Sequence, residues 1–385
     1  MEKQSTIRSL QRRSIVTAVS AACLLTAMGA EAGATINFGE DKSISLGFGM
    51  RASYSSVEDA APDGGRSNDF TLDSARLYVG GSLNKHIKGM FNTEKSGGND
   101  TFQMIDANVQ FEVTPELSIW AGRFISPSDR ANLAGPYYSL GGGYWANIAS
   151  RYGWNGGVIG RDNGVAAVGT ALGGKLSYSA GAFEGNTTWT YSGLGNPAIG
   201  SASYVALKPA DDLMYAARVQ YDFWDAEPGY YGTGNYLGAK DILAIGIAGR
   251  MQGDGAVSAT AKGDYSSNSV DFLMEKRIEG SGAVSLEAAY YDYNTDDVFL
   301  SEQGTAYSAA GGYIFNEKEG IGKLQPYVRY QKFDADTNVN TKRYDLGVNY
   351  IIEAYNAQIG GTYSKNETTA LADFNTFKVS MQFQY

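Results

Sequence analysis

Phe377-Lys378-Val379-Ser380-Met381-Gln382-Phe383-Gln384-Tyr385, the last nine residues of the chain, alternates apolar and polar side chains without a break. Phe377, Val379, Met381, Phe383 and Tyr385 share one face, and Lys378, Ser380, Gln382 and Gln384 share the other. Only a strand has a side-chain period of two. In water, an exposed apolar strand at a chain end is an aggregation hazard. The pattern is at home in a closed barrel whose apolar face meets lipid and whose polar face lines a water-filled lumen.

Working outward from this strand, segments of about ten residues with the same alternation recur through the chain, the repeated signature of a membrane barrel. Lys42 to Tyr54 sets Ile44, Leu46, Phe48, Met50, Ala52 and Tyr54 against Ser43, Ser45 and Arg51. Gln103 to Val113 sets Ile105, Ala107, Val109 and Phe111 against Asp106, Asn108 and Gln110. Further segments lie at 70–83, 87–94, 117–124, 164–172, 175–183, 212–224, 241–252, 265–277, 283–293, 305–315, 323–333, 342–352 and 357–365. With the terminal strand the sum is about sixteen, an even number wide enough for an aqueous channel. Glycine (49) and tyrosine (27) are abundant while proline (8) is scarce, which is a strand-and-turn composition. The expected fold is therefore all-β, a transmembrane antiparallel β-barrel of about 16 strands with an inward-folded third external loop.

Loop lengths test the topology, since alternate connections in such barrels are short on the periplasmic side and longer outside. Connections at 84–86, 114–116, 173–174, 278–282, 316–322 and 353–356 are short, and those at 55–69, 125–163, 184–211, 253–264, 294–304 and 366–374 are longer. The connection at 225–240 breaks the rule: it is long but falls in a periplasmic slot, so either that turn is unusual or the hairpins are miscounted. Aromatic residues such as Tyr54, Phe111, Tyr221, Tyr290, Phe315, Tyr363 and Tyr385 sit near strand ends, as interfacial girdles do.

At the other end, Lys3, Arg8, Arg12 and Arg13 precede an apolar stretch, and Ala30-Glu31-Ala32 fits a small-x-small cleavage site. Residues 1–32 read as a signal peptide and 33–385 as a single barrel domain. The only cysteine, Cys23, lies in the signal segment, so the expected mature chain has no disulfide framework. Removing four bases (Lys3, Arg8, Arg12, Arg13) and two acids (Glu2, Glu31) takes the formal charge from −10 to −12. That balance argues against nucleic-acid binding, which needs a basic footprint.

Enzyme chemistry finds little support. The single histidine, His86, lies in a short turn beside Lys85 and Lys88 with no local nucleophile or carboxylate spaced to serve it. No cofactor is implied and no metal set is found. Asp292-Tyr293-Asn294-Thr295-Asp296-Asp297 opens like a calcium loop, but the sixth position is Asp297 and the twelfth Gln303, so it reads as a solvated acidic loop. Chemistry is expected in the pore. The 125–163 connection is the longest between strands and carries Asp129, Arg130, Arg151, Arg161 and Asp162 with Tyr144 and Trp145. Folded inward, charges of both signs would create a transverse field on passing solutes, and the aromatics would stack on sugars or flat polar solutes. Arg51, Arg76, Arg218 and Arg329 are expected on the lumen wall, among about ten inward bases against nine inward acids.

Ser74-Ala75-Arg76-Leu77-Tyr78-Val79-Gly80-Gly81, Ile105-Asp106-Ala107-Asn108-Val109-Gln110-Phe111, and Leu117-Ser118-Ile119-Trp120-Ala121-Gly122-Arg123-Phe124-Ile125-Ser126-Pro127 with Arg130 resemble strands of the phosphate-selective porin O and P type family. Arg161-Asp162-Asn163-Gly164, Glu227-Pro228-Gly229-Tyr230-Tyr231 and Asp241-Ile242-Leu243-Ala244-Ile245-Gly246 are similar to related porins of Gram-negative bacteria. The resemblance implies a sixteen-stranded trimeric channel whose phosphate-specific members use lumen arginines and lysines. This chain departs from that pattern in its acidity and mixed wall. The expected function is an outer-membrane porin for passive diffusion of small hydrophilic solutes or ions, either anion-preferring and phosphate-like, with Arg130, Arg151 and Arg161 biasing it toward anions, or more general. A closed outer-membrane barrel acting as adhesin or scaffold is the alternative. Expected partners are outer-membrane lipid and lipopolysaccharide, two further copies of the chain, and the barrel assembly machinery through the C-terminal strand.

Overall fold

The computed structural model describes residues 33–96, 101–143, 145–151, 160–185, 211–258 and 261–385. The expected signal peptide, Tyr144 and most of the 184–211 connection lie outside the described residues. Seventeen strands form: β1 (Ala34–Gly39), β2 (Lys42–Val57), β3 (Ser67–Asn84), β4 (Ile87–Ser96), β5 (Gln103–Thr114), β6 (Leu117–Ile125), β7 (Arg161–Ala171), β8 (Leu176–Phe183), β9 (Met214–Asp222), β10 (Ile242–Val257), β11 (Lys262–Ile278), β12 (Gly282–Asn294), β13 (Gly304–Phe315), β14 (Lys323–Ala335), β15 (Asn340–Glu353), β16 (Ala357–Thr368) and β17 (Phe374–Gln384). A single described α-helical turn, α1 (Arg130–Ala134), interrupts them.

From β2 to β17 each strand pairs antiparallel with the next, and β17 returns to β2. Sixteen strands thus close a barrel, as the alternation predicts. At the seam Val379 faces Tyr54, Met381 faces Ala52 and Phe383 faces Met50. Tyr385 donates its N–H to the Phe48 carbonyl and accepts from the Phe48 N–H, both at 2.8 Å. Closure leaves β17 without an open edge, which removes the aggregation hazard.

β1 is the element the sequence reading misses. It forms a hairpin with β2, Ile36 opposite Ile44 and Ala34 opposite Leu46, on the same β2 edge that β17 occupies and just beyond Tyr385. Its six residues are all exposed, too short and too flatly exposed to show a clear alternation of environment.

The wall is inverted relative to a water-soluble protein. On β14, β15 and β17 Val328, Leu346 and Met381 face outward, 54%, 62% and 60% exposed, while their polar neighbours Arg329, Asn349 and Gln382 are buried inside. A soluble sandwich buries its apolar faces in a core; here the apolar faces surround the barrel. Tyr290, Tyr307, Tyr330 and Tyr344 form an outward belt across β12 to β15, adjacent rings of Tyr307 and Tyr330 lying 5.8 Å apart and those of Tyr330 and Tyr344 4.9 Å apart. Such a belt suits the boundary between hydrocarbon and water, where one end of the ring is apolar and the other wet.

Candidate pore constriction

Two segments enter the lumen from opposite ends. From the long-loop end, residues 126–143 and 145–151 run inward after β6 and are buried or half-buried. From the short-turn end, residues 225–240 fold up between β9 and β10. The unusual length of that turn therefore reflects an inward fold, and the hairpin count stands.

The first segment is anchored by its own sequence. Asp129 caps α1, accepting from the Asn132 N–H at 3.3 Å, and also accepts from Ser150 Oγ at 2.7 Å and the Tyr291 hydroxyl at 3.3 Å. Tyr137 lies beneath the guanidinium groups of Arg51 and Arg76, 5.7 and 5.6 Å from its ring centre. The Gly141 backbone rests on the Arg329 guanidinium so closely that a Cβ there would stand 2.5 Å from Cζ. Trp145 is buried with the Arg329 guanidinium 5.1 Å from its ring centre, and Leu140 accepts through its carbonyl from Asn349 at 2.6 Å.

The second segment docks on an apolar sector of the inner wall. Trp120, Phe124, Ala166, Phe183, Met214 and Ala216 cluster there, and Tyr230 packs on it with ring centres 5.0 Å from Trp120 and 6.2 Å from Phe124. The Tyr230 hydroxyl donates to the Ile125 carbonyl at 2.6 Å, and that of Tyr231 to Asp106 Oδ1 at 3.2 Å. Glu275 on β11 accepts from the backbone N–H groups of Tyr236 at 2.7 Å and Gly238 at 2.6 Å. An apolar strip inside a hydrated lumen would be anomalous; covered by these aromatics, it is a docking site.

The two segments meet at Arg130. Its guanidinium forms a fork with Glu227, Nη2 to Oε2 at 2.5 Å and Nη1 to Oε1 at 2.8 Å, and donates to the Thr233 carbonyl at 2.9 Å and Gln220 Oε1 at 3.0 Å. Its backbone N–H donates to Asp271 Oδ2 at 3.1 Å, and Asp271 also receives both Arg218 guanidinium nitrogens at 2.5 and 2.8 Å. Burial pushes the Glu227 carboxyl up, but Arg130 beside it and the Tyr236 hydroxyl bonded to it hold it below the ordinary carboxylate range. Bidentate, desolvated pairs of this kind fix geometry as much as they add energy.

The remaining expected site residues that are described are dispersed around the wall, each engaged. Arg76 forks onto Glu94 at 2.6 and 2.8 Å, Arg329 bonds Asp345 at 2.9 and 3.1 Å, and Arg161 reaches Asp106 at 3.4 Å. Arg151 bonds Glu302 and lies 4.2 Å from the Phe333 ring centre. Arg51 donates to Gln382. Asp162 accepts from the N–H groups of Asn163 at 2.8 Å and Gly185 at 2.7 Å. Of the expected set, the structure joins Arg130 with Arg218 through Asp271, sets Arg51 and Arg76 against the same Tyr137 ring and Trp145 against Arg329, and does not gather these into one ring. Sequence reasoning missed Glu227, Tyr230, Tyr231 and Tyr236 as lumen residues, although the long inside turn carrying them was the signal.

No family model matches the chain, and no curated protein matches it by sequence. Its structure is similar to solved outer-membrane proteins: OmpF of Salmonella typhi (TM-score 0.60, 13% identity, 91% of this chain and 100% of that one), the outer membrane channel DcaP of Acinetobacter baumannii (0.57, 12%, 92% and 100%), and OmpT of Vibrio cholerae in a trimer form (0.55, 14%, 90% and 100%). The fold is that of the outer-membrane porins.

Proposed function

We propose that the chain is an outer-membrane porin that passes small hydrophilic solutes or ions by passive diffusion through a lumen narrowed from both ends. The inverted wall carries this reading: apolar residues such as Val328, Leu346 and Met381 face outward, while charged and polar ones face a lumen entered by residues 126–143 and 145–151. Ion preference is weak, because Arg130, Arg151 and Arg161 each face a carboxylate. Folded protein in a planar bilayer is expected to give small, stable conductance steps with a reversal potential near zero in a salt gradient. Replacing those three arginines by Ala would strand Glu227, Glu302 and Asp106 and shift selectivity toward cations; strong anion selectivity of the parent protein would refute this part. The apolar outer face suits lipid and two further copies of the chain, a homotrimer to be read as a folded, detergent-stable oligomer on gels.

A second reading has its own observation. The mid-height arginines Arg51, Arg76, Arg130, Arg161, Arg218 and Arg329 are all at most 9% exposed, so the lumen is densely filled there. Such filling suits a closed barrel serving as adhesin or scaffold. Insertion into bilayers without conductance would favour it.

A further inference from the structure

Between the docked 225–240 segment and the wall of β4 to β9 lies a cavity of about 160 Å³ that reaches from the short-turn mouth of the barrel up to Arg130 and Glu227. Strand register orders its wall. Ser118 on β6 faces Val168 on β7, which faces Ser179 on β8; one row toward the mouth, Thr170 faces Ser177. One row inward, Gln110 faces Trp120. A belt of hydroxyls therefore shares the cavity with the aromatic side chains of Trp120 and, from the docked segment, Tyr230 and Tyr231.

The buried charges of this cavity are paired. Lys88, Arg130 and Arg218 line it against Glu112, Glu116 and Glu227. Lys88 lies 3.2 Å from Glu112, Arg130 2.5 Å from Glu227, and Arg218 2.5 Å from Asp271 behind it. Lys88 and Glu112 are about a third exposed and Glu116 is exposed at the mouth, but a charged guest seated deeper, against Arg130 or Arg218, would have to break a buried pair, and that leaves an uncompensated charge. A guest with hydroxyls on its edge and C–H groups on its face would disturb none of them. Its hydroxyls would meet Gln110 and the serine belt, and its face the aromatic side chains.

We propose that this cavity is a binding subsite for an uncharged, hydroxyl-rich ring of monosaccharide size, placed at the periplasmic exit of the lumen. The inference deepens the porin reading, and the two fail separately. Saturation-transfer NMR on the folded, detergent-solubilised full chain measures binding without requiring conduction. Glucose is the probe, with glucose 6-phosphate and glucosamine as charged rings of the same frame. Transfer to the glucose ring protons is expected, together with weaker transfer to both charged sugars. Ser177→Trp, which fills the cavity from the wall, should weaken glucose binding about ten-fold or more, equivalent to ~1.4 kcal/mol. Ser118→Tyr fills it independently should the first variant fail to fold, folding being read from heat-modifiable gel mobility. No transfer to glucose, equal transfer to the phosphorylated sugar, or transfer unchanged in a folded filled variant would overturn the subsite. Glucose binding in a protein that never conducts would keep the subsite and remove the porin reading.

Discussion

At the residue scale the lumen is governed by pairing. Arg130 and Glu227 come from two connections 97 residues apart and meet with a fork geometry. Removing one partner of a buried pair costs ~3–5 kcal/mol, because the other charge stays buried alone. Glu227→Ala is therefore expected to lower resistance to urea by about that amount and to raise conductance by loosening the 225–240 segment. The pH dependence has a definite sign. A carboxyl whose folded value is depressed contributes stability above its ordinary value, about 4.3 for Glu, and loses it as pH falls through the lower folded value. The stability difference between the parent and Glu227→Gln should thus be constant from neutral pH down to about 4.3 and vanish only below it. A difference that disappears on raising the pH would contradict the pairing. The arginines of this lumen and the strand acids Glu94, Asp106, Asp271 and Asp345 are legible in sequence as inward-facing; which carboxylate each arginine reaches is not, because register and loop path decide it.

At the element scale the period of two carried almost the whole barrel. Each of the sixteen wall strands lies where alternation places it, because a slip by one residue would turn every apolar side chain into the lumen. Two elements escaped. β1 is six exposed residues on a free β2 edge, and its pairing depends on where β17 stops. The 225–240 segment has no period; its fold follows from a wall patch assembled from β6, β7, β8 and β9, which no local window contains. That docking makes a prediction. Tyr230→Ala removes the ring that covers Trp120 and Phe124 and should cost ~3–5 kcal/mol, read as a lower urea midpoint, whereas Tyr290→Ala on the outer belt should cost less. Deleting Phe383 to Tyr385 severs the two hydrogen bonds from Tyr385 to Phe48 and the Phe383 pairing with Met50. The truncated chain is expected to accumulate poorly in the outer membrane while molecules that do insert behave normally; normal accumulation would show that the seam is not needed for insertion.

At the scale of the whole molecule the inverted wall decides the environment. Leu346 sits outward at mid-strand on β15, and Leu346→Arg would place a charge in hydrocarbon at a cost of ~2–4 kcal/mol. The same change at inward Asn349 should cost less if the lumen is hydrated; equal costs measured by urea unfolding in lipid vesicles would argue against the assigned faces. Within that wall, two segments fold into the barrel from opposite ends and meet at Arg130. The most direct test is single-channel conductance of the parent protein beside a variant in which residues 226–239 are replaced by a short Gly-Ser turn. The porin account predicts small steps for the parent and steps several-fold larger for the variant, with both proteins folded on gels. Folded, inserted protein that conducts in neither form would contradict it.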